Sequence, residues 1–111
     1  MIQANELRIG NWVEYPLIGF KKIRSGEDID DISDNAGMPV LLSPEILEKA
    51  GFEKDSVGYF NNGIYCMKFN NNTCKWSFGE WYMGQFCEIK YLHQLQNLYF
   101  ALTGQELNIN L

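Results

Sequence analysis

A repeat of apolar residues near the end of the chain restricts the folds that this sequence can adopt. Within residues 89–104, apolar side chains recur with helical spacing at Leu92, Leu95, Leu98, Tyr99 and Leu102. This spacing is typical of the apolar stripe of an amphipathic helix. Glycine is favoured just after the last residue of a helix, and Gly104 follows Thr103. The sequence therefore predicts a C-terminal helix that packs this stripe against the rest of the fold.

A second, shorter helix is predicted from its end signals. Ser43 suits the N-cap, Pro44 the first helical position and Glu45 the positive end of the helix dipole. Gly51 suits the stop, and Phe52 is expected to fold back as an apolar contact. These signals predict about two turns of helix.

The remaining regular structure is predicted to be strands. Residues 12–15 and 20–24 read as two strands joined by a turn at residues 16–19, after a break at Gly10 and Asn11. A short strand, a turn and a second strand resemble the start of a small SH3-like barrel, which is an analogy of fold and not of function.

Residues 57–91 read as a β-meander with two tight turns. Asn62–Gly63 favours a type I′ turn, which would pair Phe60 with Tyr65. Gly79–Glu80 favours a type II′ turn, which would set Phe78 opposite Trp81. We therefore predict an α+β fold over residues 1–111 as a single domain, in which an antiparallel meander is packed by the C-terminal helix and one short helix is inserted earlier.

Two segments also resemble a known family. The stretches LRIGNWV at residues 7–13 and HQLQNLYFALTGQEL at residues 93–107 are similar to a family of small uncharacterised proteins of Bacteroides-type genomes, their prophages and mobile elements. The stretch PVLLSPEILEKAGF at residues 39–52 extends the resemblance. It implies a protein of a phage or mobile element and implies no catalytic residue or cofactor.

Charge and hydropathy narrow the classes of partner. The net charge of −5 argues against general phosphate binding, which needs clustered Lys and Arg, and against an anionic membrane surface. No apolar run approaches the length of a membrane span, and the first residues lack the features of a signal peptide. The expected location is the cytoplasm.

Few residues of the chain suit catalysis or metal binding. Cys66, Cys74 and Cys87 are expected to be reduced, partly buried thiols, since their spacing lacks the close pair of a zinc site even with His93 added. His93 lies one residue off the helical stripe and is expected at the boundary or surface. Without a nucleophile motif beside it, we predict no enzyme, no metal and no cofactor.

The aromatic residues of the meander suggest a binding surface instead. Phe69, Trp76 and Phe78 are expected in the core. Outward-facing Trp81, Tyr82 or Tyr65 would form a partner surface, and Asp30 and Asp31, in an acidic segment, are a second candidate. The leading interpretation is a protein-interaction module with an unidentified protein partner. The alternative is a single-stranded nucleic-acid binder that uses these aromatics with Lys68, Lys75 and Lys90, which the net charge disfavours.

Overall fold

The structure, a computed structural model, describes residues 7–15, 19–25, 37–63, 65–80, 86–109 and 111. It confirms the α+β class, with two antiparallel sheets, a C-terminal helix and one short helix. The elements in chain order are β1 (Trp12–Tyr15), β2 (Gly19–Lys22), β3 (Met38–Pro39), α1 (Pro44–Lys49), β4 (Glu53–Lys54), β5 (Phe60–Asn62), β6 (Tyr65–Asn70), β7 (Lys75–Glu80), β8 (Phe86–Ile89) and α2 (Leu92–Thr103).

The chain forms two compact units. The first comprises Met1–Leu41 and Tyr91–Leu107, and the second comprises Leu42–Lys90 and Asn108–Leu111. The helix α2 therefore belongs to the same unit as the first sheet. That the whole chain is a single domain stays a prediction.

The first unit contains a three-stranded sheet in the order β2–β1–β3. The hairpin of β1 and β2 has the expected antiparallel pairing, with Val13 opposite Lys21. Beyond the hairpin, Ile23 donates its backbone N–H to the carbonyl of Asn11, and Gly10 donates to the carbonyl of Ile23, each at 2.8 Å. Val13 and Tyr15 share a buried cluster with Ile23. The resemblance to an SH3-like barrel stays a prediction.

One side chain of α2 takes the place of a neighbouring strand for the segment before β1. The side-chain amide of Gln96 accepts the backbone N–H of Trp12 at 3.0 Å and donates to the carbonyl of Gly10 at 2.9 Å. Gln96 is 1% exposed, and its bond to Trp12 is buried whereas its bond to Gly10 is partly buried. Loss of either hydrogen bond would leave a backbone group without a partner, and a buried unpaired group costs about 1–3 kcal/mol.

A second set of polar side chains fixes the turn at residues 8–11. Asn11, which is fully buried, accepts the backbone N–H of Arg8 at 2.7 Å and donates to the side chain of Asn97 at 2.8 Å. The guanidinium of Arg8 forms an ion pair with Glu106 and donates from Nε to Asn97 at 3.1 Å. Gly10 adopts a positive φ of 100°, which an L side chain tolerates poorly. This turn is therefore held against α2 by side-chain hydrogen bonds.

The buried face of α2 differs from the predicted stripe. Leu92, His93, Leu95 and Gln96 are buried, whereas Leu102 is 50% exposed. At about 100° per residue, Leu98 lies about 140° and Leu102 about 100° from the centre of that buried face. The expectation of a boundary or surface histidine is wrong, because the burial falls on the first half of the helix and includes His93, which stacks on the ring of Tyr91. The predicted end is confirmed, with Gly104 as the C-cap.

The short helix α1 forms as its end signals predict. The hydroxyl of Ser43 accepts the backbone N–H of Ile46 at 3.2 Å, and Pro44 is the first helical residue. At the other end Phe52 donates to Leu47 and Gly51 donates to Glu48, which is the Schellman pattern. Gly51 has a φ of 89°, and Phe52 is buried. These contacts fold the chain back from α1 into β4.

The second unit contains a five-stranded meander, β4–β5–β6–β7–β8, in which sequence neighbours pair throughout. The predicted pairing of Phe60 with Tyr65 is wrong, because Asn62 pairs with Tyr65 and Phe60 pairs with Met67. Asn62 therefore belongs to β5 and not to the turn. This register places the fully buried Met67 between Phe60 and Phe78, instead of the half-buried Tyr65.

The predicted turn at Gly79–Glu80 is also wrong. Both residues belong to β7, where Gly79 pairs with Cys66 on one side and Phe86 on the other. Phe78 therefore lies opposite Cys87 and not Trp81. Hydrogen bonding on both sides of a central strand outweighs the local turn preference of a glycine. The connection from β7 to β8 includes residues outside those described.

Replacing Gln96 tests the docking of α2 on the first strand. We expect Gln96→Ala to lower the free energy of unfolding by about 2–4 kcal/mol, because it leaves a buried donor and a partly buried acceptor of the backbone unpaired. The measurement is urea denaturation followed by circular dichroism. Gln105→Ala, at an exposed position just after the helix, is the matched control and should change stability by less than about 0.5 kcal/mol. Equal stability of the two variants would contradict this account.

Candidate functional site

The meander has one apolar face and one polar face in the described strands. Residues opposite each other in paired strands share a face, and alternate residues along a strand face opposite ways. The register therefore puts seven apolar residues on one face, namely Phe60, Tyr65, Met67, Phe69, Trp76, Phe78 and Ile89. Lys68, Lys75 and Ser77 lie on the other face. Cys66 is a fully buried exception on that polar face.

A groove of about 350 Å³ opens on the apolar face of the meander. We call it the aromatic groove. Leu42, Ser43 and Pro44 line it from the start of α1. Lys54, Gly58, Phe60, Phe69 and Trp76 line it from the sheet. Its volume lies within the range of small-ligand pockets in proteins.

Three aromatic rings form the floor and one wall of the aromatic groove. Trp76 is in the centre, with its ring centroid 5.7 Å from that of Phe60 in an edge-to-face arrangement and 5.0 Å from that of Phe69 in a tilted one. Phe60 and Trp76 are buried, and they provide a fixed floor. Contacts of this geometry stabilise by about 0.5–1.5 kcal/mol beyond the area they bury.

Phe69 is exposed and not a core residue, which corrects the sequence prediction. It is 46% exposed, whereas Trp76 and Phe78, also predicted to be core, are buried. The pairing of β5 with β6 ends at Phe60 and Met67, so Phe69 extends past the end of β5 and is paired only with β7. Among the described residues, no strand therefore covers Phe69 on the side of β5.

Two polar groups complete the lining. Lys54 is exposed on β4, opposite Phe60 in the register. The oxygen of Ser43 accepts the N–H of Ile46, and its hydroxyl hydrogen is not used in that bond. No carboxylate is among the described residues that line the aromatic groove. The groove therefore offers one cation and one hydroxyl donor beside an apolar floor.

A tight loop between β4 and β5 positions Gly58 at the rim of the groove. The carboxylate of Asp55 accepts the backbone N–H groups of Val57 and Tyr59, each at 3.0 Å, and the side-chain amide of Asn61 at 2.9 Å. These hydrogen bonds, that of Asn61 first, hold the pKa of Asp55 below its ordinary value, against a smaller opposing effect of burial. The charged form of Asp55 thus stabilises the loop.

Of the aromatic and acidic residues predicted to bind a partner, the structure describes only Tyr65, and it also describes the predicted lysines, including Lys75. Trp81, Tyr82, Asp30 and Asp31 lie outside the described residues. Tyr65 is half-buried and stacks on Phe78 with ring centroids 5.4 Å apart. Lys75 is exposed on the opposite face from Tyr65. The structure therefore does not bring Tyr65 and Lys75 together on one surface.

Sequence reasoning missed most of the aromatic groove. It grouped Phe60, Phe69 and Trp76 as part of an aromatic-rich meander, but gave no role to Lys54 or to Ser43 beyond the helix cap. The available signal was the high density of aromatics near one hairpin. What was lacking was the register, which decides which of them share a face.

The described residues contain no group of three or more His, Cys, Asp or Glu side chains that could hold a metal ion. The three cysteines are free thiols, with Cys66 buried and Cys74 and Cys87 exposed. Burial raises the pKa of the Cys66 thiol, with Lys68 acting in the opposite direction. Among the described helices, none has the length and apolar character needed to cross a membrane.

Comparison of the chain with protein-family models, with curated proteins and with solved structures finds no match.

The hydrogen bonds of Asp55 predict how its titration responds to Asn61. We expect Asn61→Ala to raise the pKa of Asp55 towards its ordinary value of 3.8, because the variant removes the bond that lowers the pKa most. The carbon chemical shift of the carboxyl group, followed by NMR as the pH is lowered, measures this pKa. An unchanged pKa in the variant would show that the backbone bonds alone account for it.

The same linkage predicts the pH dependence of stability. A carboxylate whose pKa is lower in the folded state stabilises fully above its unfolded pKa, and this stabilisation is lost as the pH falls through the folded pKa. We therefore expect Asp55→Asn to be less stable than the wild type above about pH 5, with the difference shrinking below about pH 4. Urea denaturation across this range measures it. A difference that stays constant with pH would contradict the role of the charge.

The burial of the cysteines predicts their reactivity. With Ellman's reagent in native conditions, Cys74 and Cys87 should react promptly, whereas Cys66 should react only on unfolding because it is buried and its thiol pKa is raised. Cys66→Ala should abolish the slow phase and leave the fast one unchanged. Three equally fast thiols in the wild type would contradict the burial of Cys66.

Proposed function

We propose that this chain is a small, non-enzymatic protein-interaction module, in which the aromatic groove binds an apolar side chain of a partner protein. The observation that supports the proposal is the exposed apolar surface at the groove. Phe69 is 46% exposed in its wall, and Val57, next to Gly58 of its rim, is 72% exposed. Exposed aromatic side chains beside a preformed groove are typical of partner surfaces.

The proposal also includes the biological context and the cellular location of the module. The resemblance of residues 7–13 and 93–107 to proteins of Bacteroides-type prophages and mobile elements supports a role for the module in the biology of such an element. We place the module and its partner in the cytoplasm of the host. The partner is then either a host protein or another protein of the same element.

The nucleic-acid alternative receives less support from the sheet. Stacking of single-stranded bases needs aromatic rings and cations along one surface. The register puts Tyr65, Phe69 and Trp76 on one face and Lys68 and Lys75 on the other, which leaves Lys54 as the one cation among the described residues that line the aromatic groove. The proposal of a protein partner does not need these lysines.

Replacing Phe69 tests the proposal. We expect Phe69→Ser to weaken binding of the partner by about 2 kcal/mol, or roughly thirtyfold in Kd, as for an aromatic residue at the centre of an interface. The partner is identified by affinity capture from the native lysate after nuclease treatment, and its Kd is then measured with purified proteins by calorimetry.

Leu102→Ser is the matched control for Phe69→Ser. Leu102 is an apolar residue of similar exposure on α2 and is not part of the groove. It should leave the Kd unchanged within about twofold. Equal effects of the two substitutions would rule out the groove as the site. Capture that disappears on nuclease treatment would favour the nucleic-acid alternative.

A further inference from the structure

We propose that the partner segment bound in the aromatic groove carries an Asp or Glu next to its apolar side chain, with Lys54 and Ser43 binding the carboxylate. This inference rests on the proposed function and names the chemistry of the partner. The aromatic floor contacts the apolar side chain, and the two polar groups of the lining contact the acidic one.

Lys54 supplies the charge for this recognition. It lines the groove beside Phe60, with which it is paired across β4 and β5. None of the carboxylates in the described part of the chain lies within ion-pair distance of its ammonium group. Neither acidic neighbour in the sequence pairs with Lys54. Glu53 faces the other side of the strand, and the carboxylate of Asp55 accepts hydrogen bonds from Val57, Tyr59 and Asn61. With respect to the described residues, the cation is therefore available to a ligand.

Ser43 adds a hydrogen-bond donor to the lining of the groove. Its oxygen is occupied by the N–H of Ile46, which caps α1 and fixes the position of the side chain. The hydroxyl hydrogen can then be donated to an acceptor in the groove. A cation and a donor without an accompanying carboxylate select an anionic group, and they disfavour a Lys or Arg of a partner.

The net charge of the chain does not oppose this selection at short range. The whole protein carries −5, which repels an acidic partner at a distance. At physiological ionic strength that repulsion is screened beyond about 8 Å. Lys54 is the charged residue among the described residues that line the groove, so contact is favourable although long-range steering is absent.

The occupant is a segment of polypeptide and not a small molecule. Phe69 lines the cavity and is 46% exposed, so a ligand that filled only the cavity would leave part of its ring in water. When a peptide inserts one side chain into the groove, the residues beside that side chain in the peptide cover the exposed edge of the groove. The aromatic groove then fits one large apolar side chain together with the adjoining carboxylate.

Three blocked peptides test the inference. The probes are acetyl-Gly-Asp-Leu-Phe-Asp-Gly-amide and two versions in which both Asp residues are replaced by Asn or by Lys. Titrations into the full chain are followed by calorimetry, and NMR shift changes at the amides of Gly58 and Phe60 and the indole of Trp76 locate the site. We expect the Asp peptide to bind about fivefold more tightly than the Asn peptide, with the Lys peptide weakest.

Charge reversal at Lys54 provides the decisive variant. Lys54→Glu should invert the order, so that the Lys peptide binds most tightly and the Asp peptide loses about tenfold or more in affinity. Lys75→Glu is the matched control, because Lys75 is also exposed but lies on the opposite face of the sheet. It should leave the order and the affinities unchanged. Phe69→Ser should weaken all three peptides regardless of their charge.

Several outcomes would overturn the inference. These are equal binding of the three peptides, an equal effect of Lys54→Glu and Lys75→Glu, or no binding at about 1 mM peptide. Binding of 3-phenylpropionate at the groove without binding of the Asp peptide would assign the site to a small molecule instead. This inference can fail while the proposed function stands. If capture of the partner depends on Phe69 but not on Lys54, the groove still binds a partner protein, and only the proposed recognition of an Asp or Glu is rejected.

Discussion

The first unit depends on a side-chain amide that acts as a strand partner. Gln96 provides an acceptor to Trp12 and a donor to Gly10, so it completes the hydrogen bonding of the segment before β1, as a neighbouring strand would. The position of β1 then decides those of β2 and β3, which pair with it on either side. Because Gln96 is buried, an incorrect docking of α2 would leave several polar groups unsatisfied at once.

Residues 7–13 and residues 93–107 meet in this unit. Arg8, Gly10, Asn11 and Trp12 belong to the first segment, and Gln96, Asn97 and Glu106 belong to the second. They are joined by an ion pair and by side-chain hydrogen bonds of 2.8–3.3 Å. Each segment is therefore incomplete without the other. The aromatic groove is built from different residues, which belong to the second unit.

The sequence predicts correctly the features that depend on a few adjacent residues, namely helix ends. The cap of α1 at Ser43 and the end of α2 at Gly104 depend on a few adjacent residues, and both predictions are confirmed. The burial of Gln96 and His93 and the exposure of Phe69 depend on partners far away in the chain, and no periodicity reveals them. The turn at Gly79 failed for the same reason, since pairing with two strands overrides a local preference. The groove could not be predicted without the register of four strands.

The floor and the wall of the aromatic groove differ in how firmly the sheet holds them. Trp76 lies in a strand paired on both sides, with Phe69 and Ile89 opposite it, whereas Phe69 extends past the end of β5 and is paired only with β7. Opening of the hairpin end exposes few buried contacts, and such local openings cost far less free energy than global unfolding. The wall can therefore fray away from its floor while the rest of the meander stays folded. The width of the groove is thus an equilibrium property of one strand end, and a bound side chain shifts it by ordering Phe69.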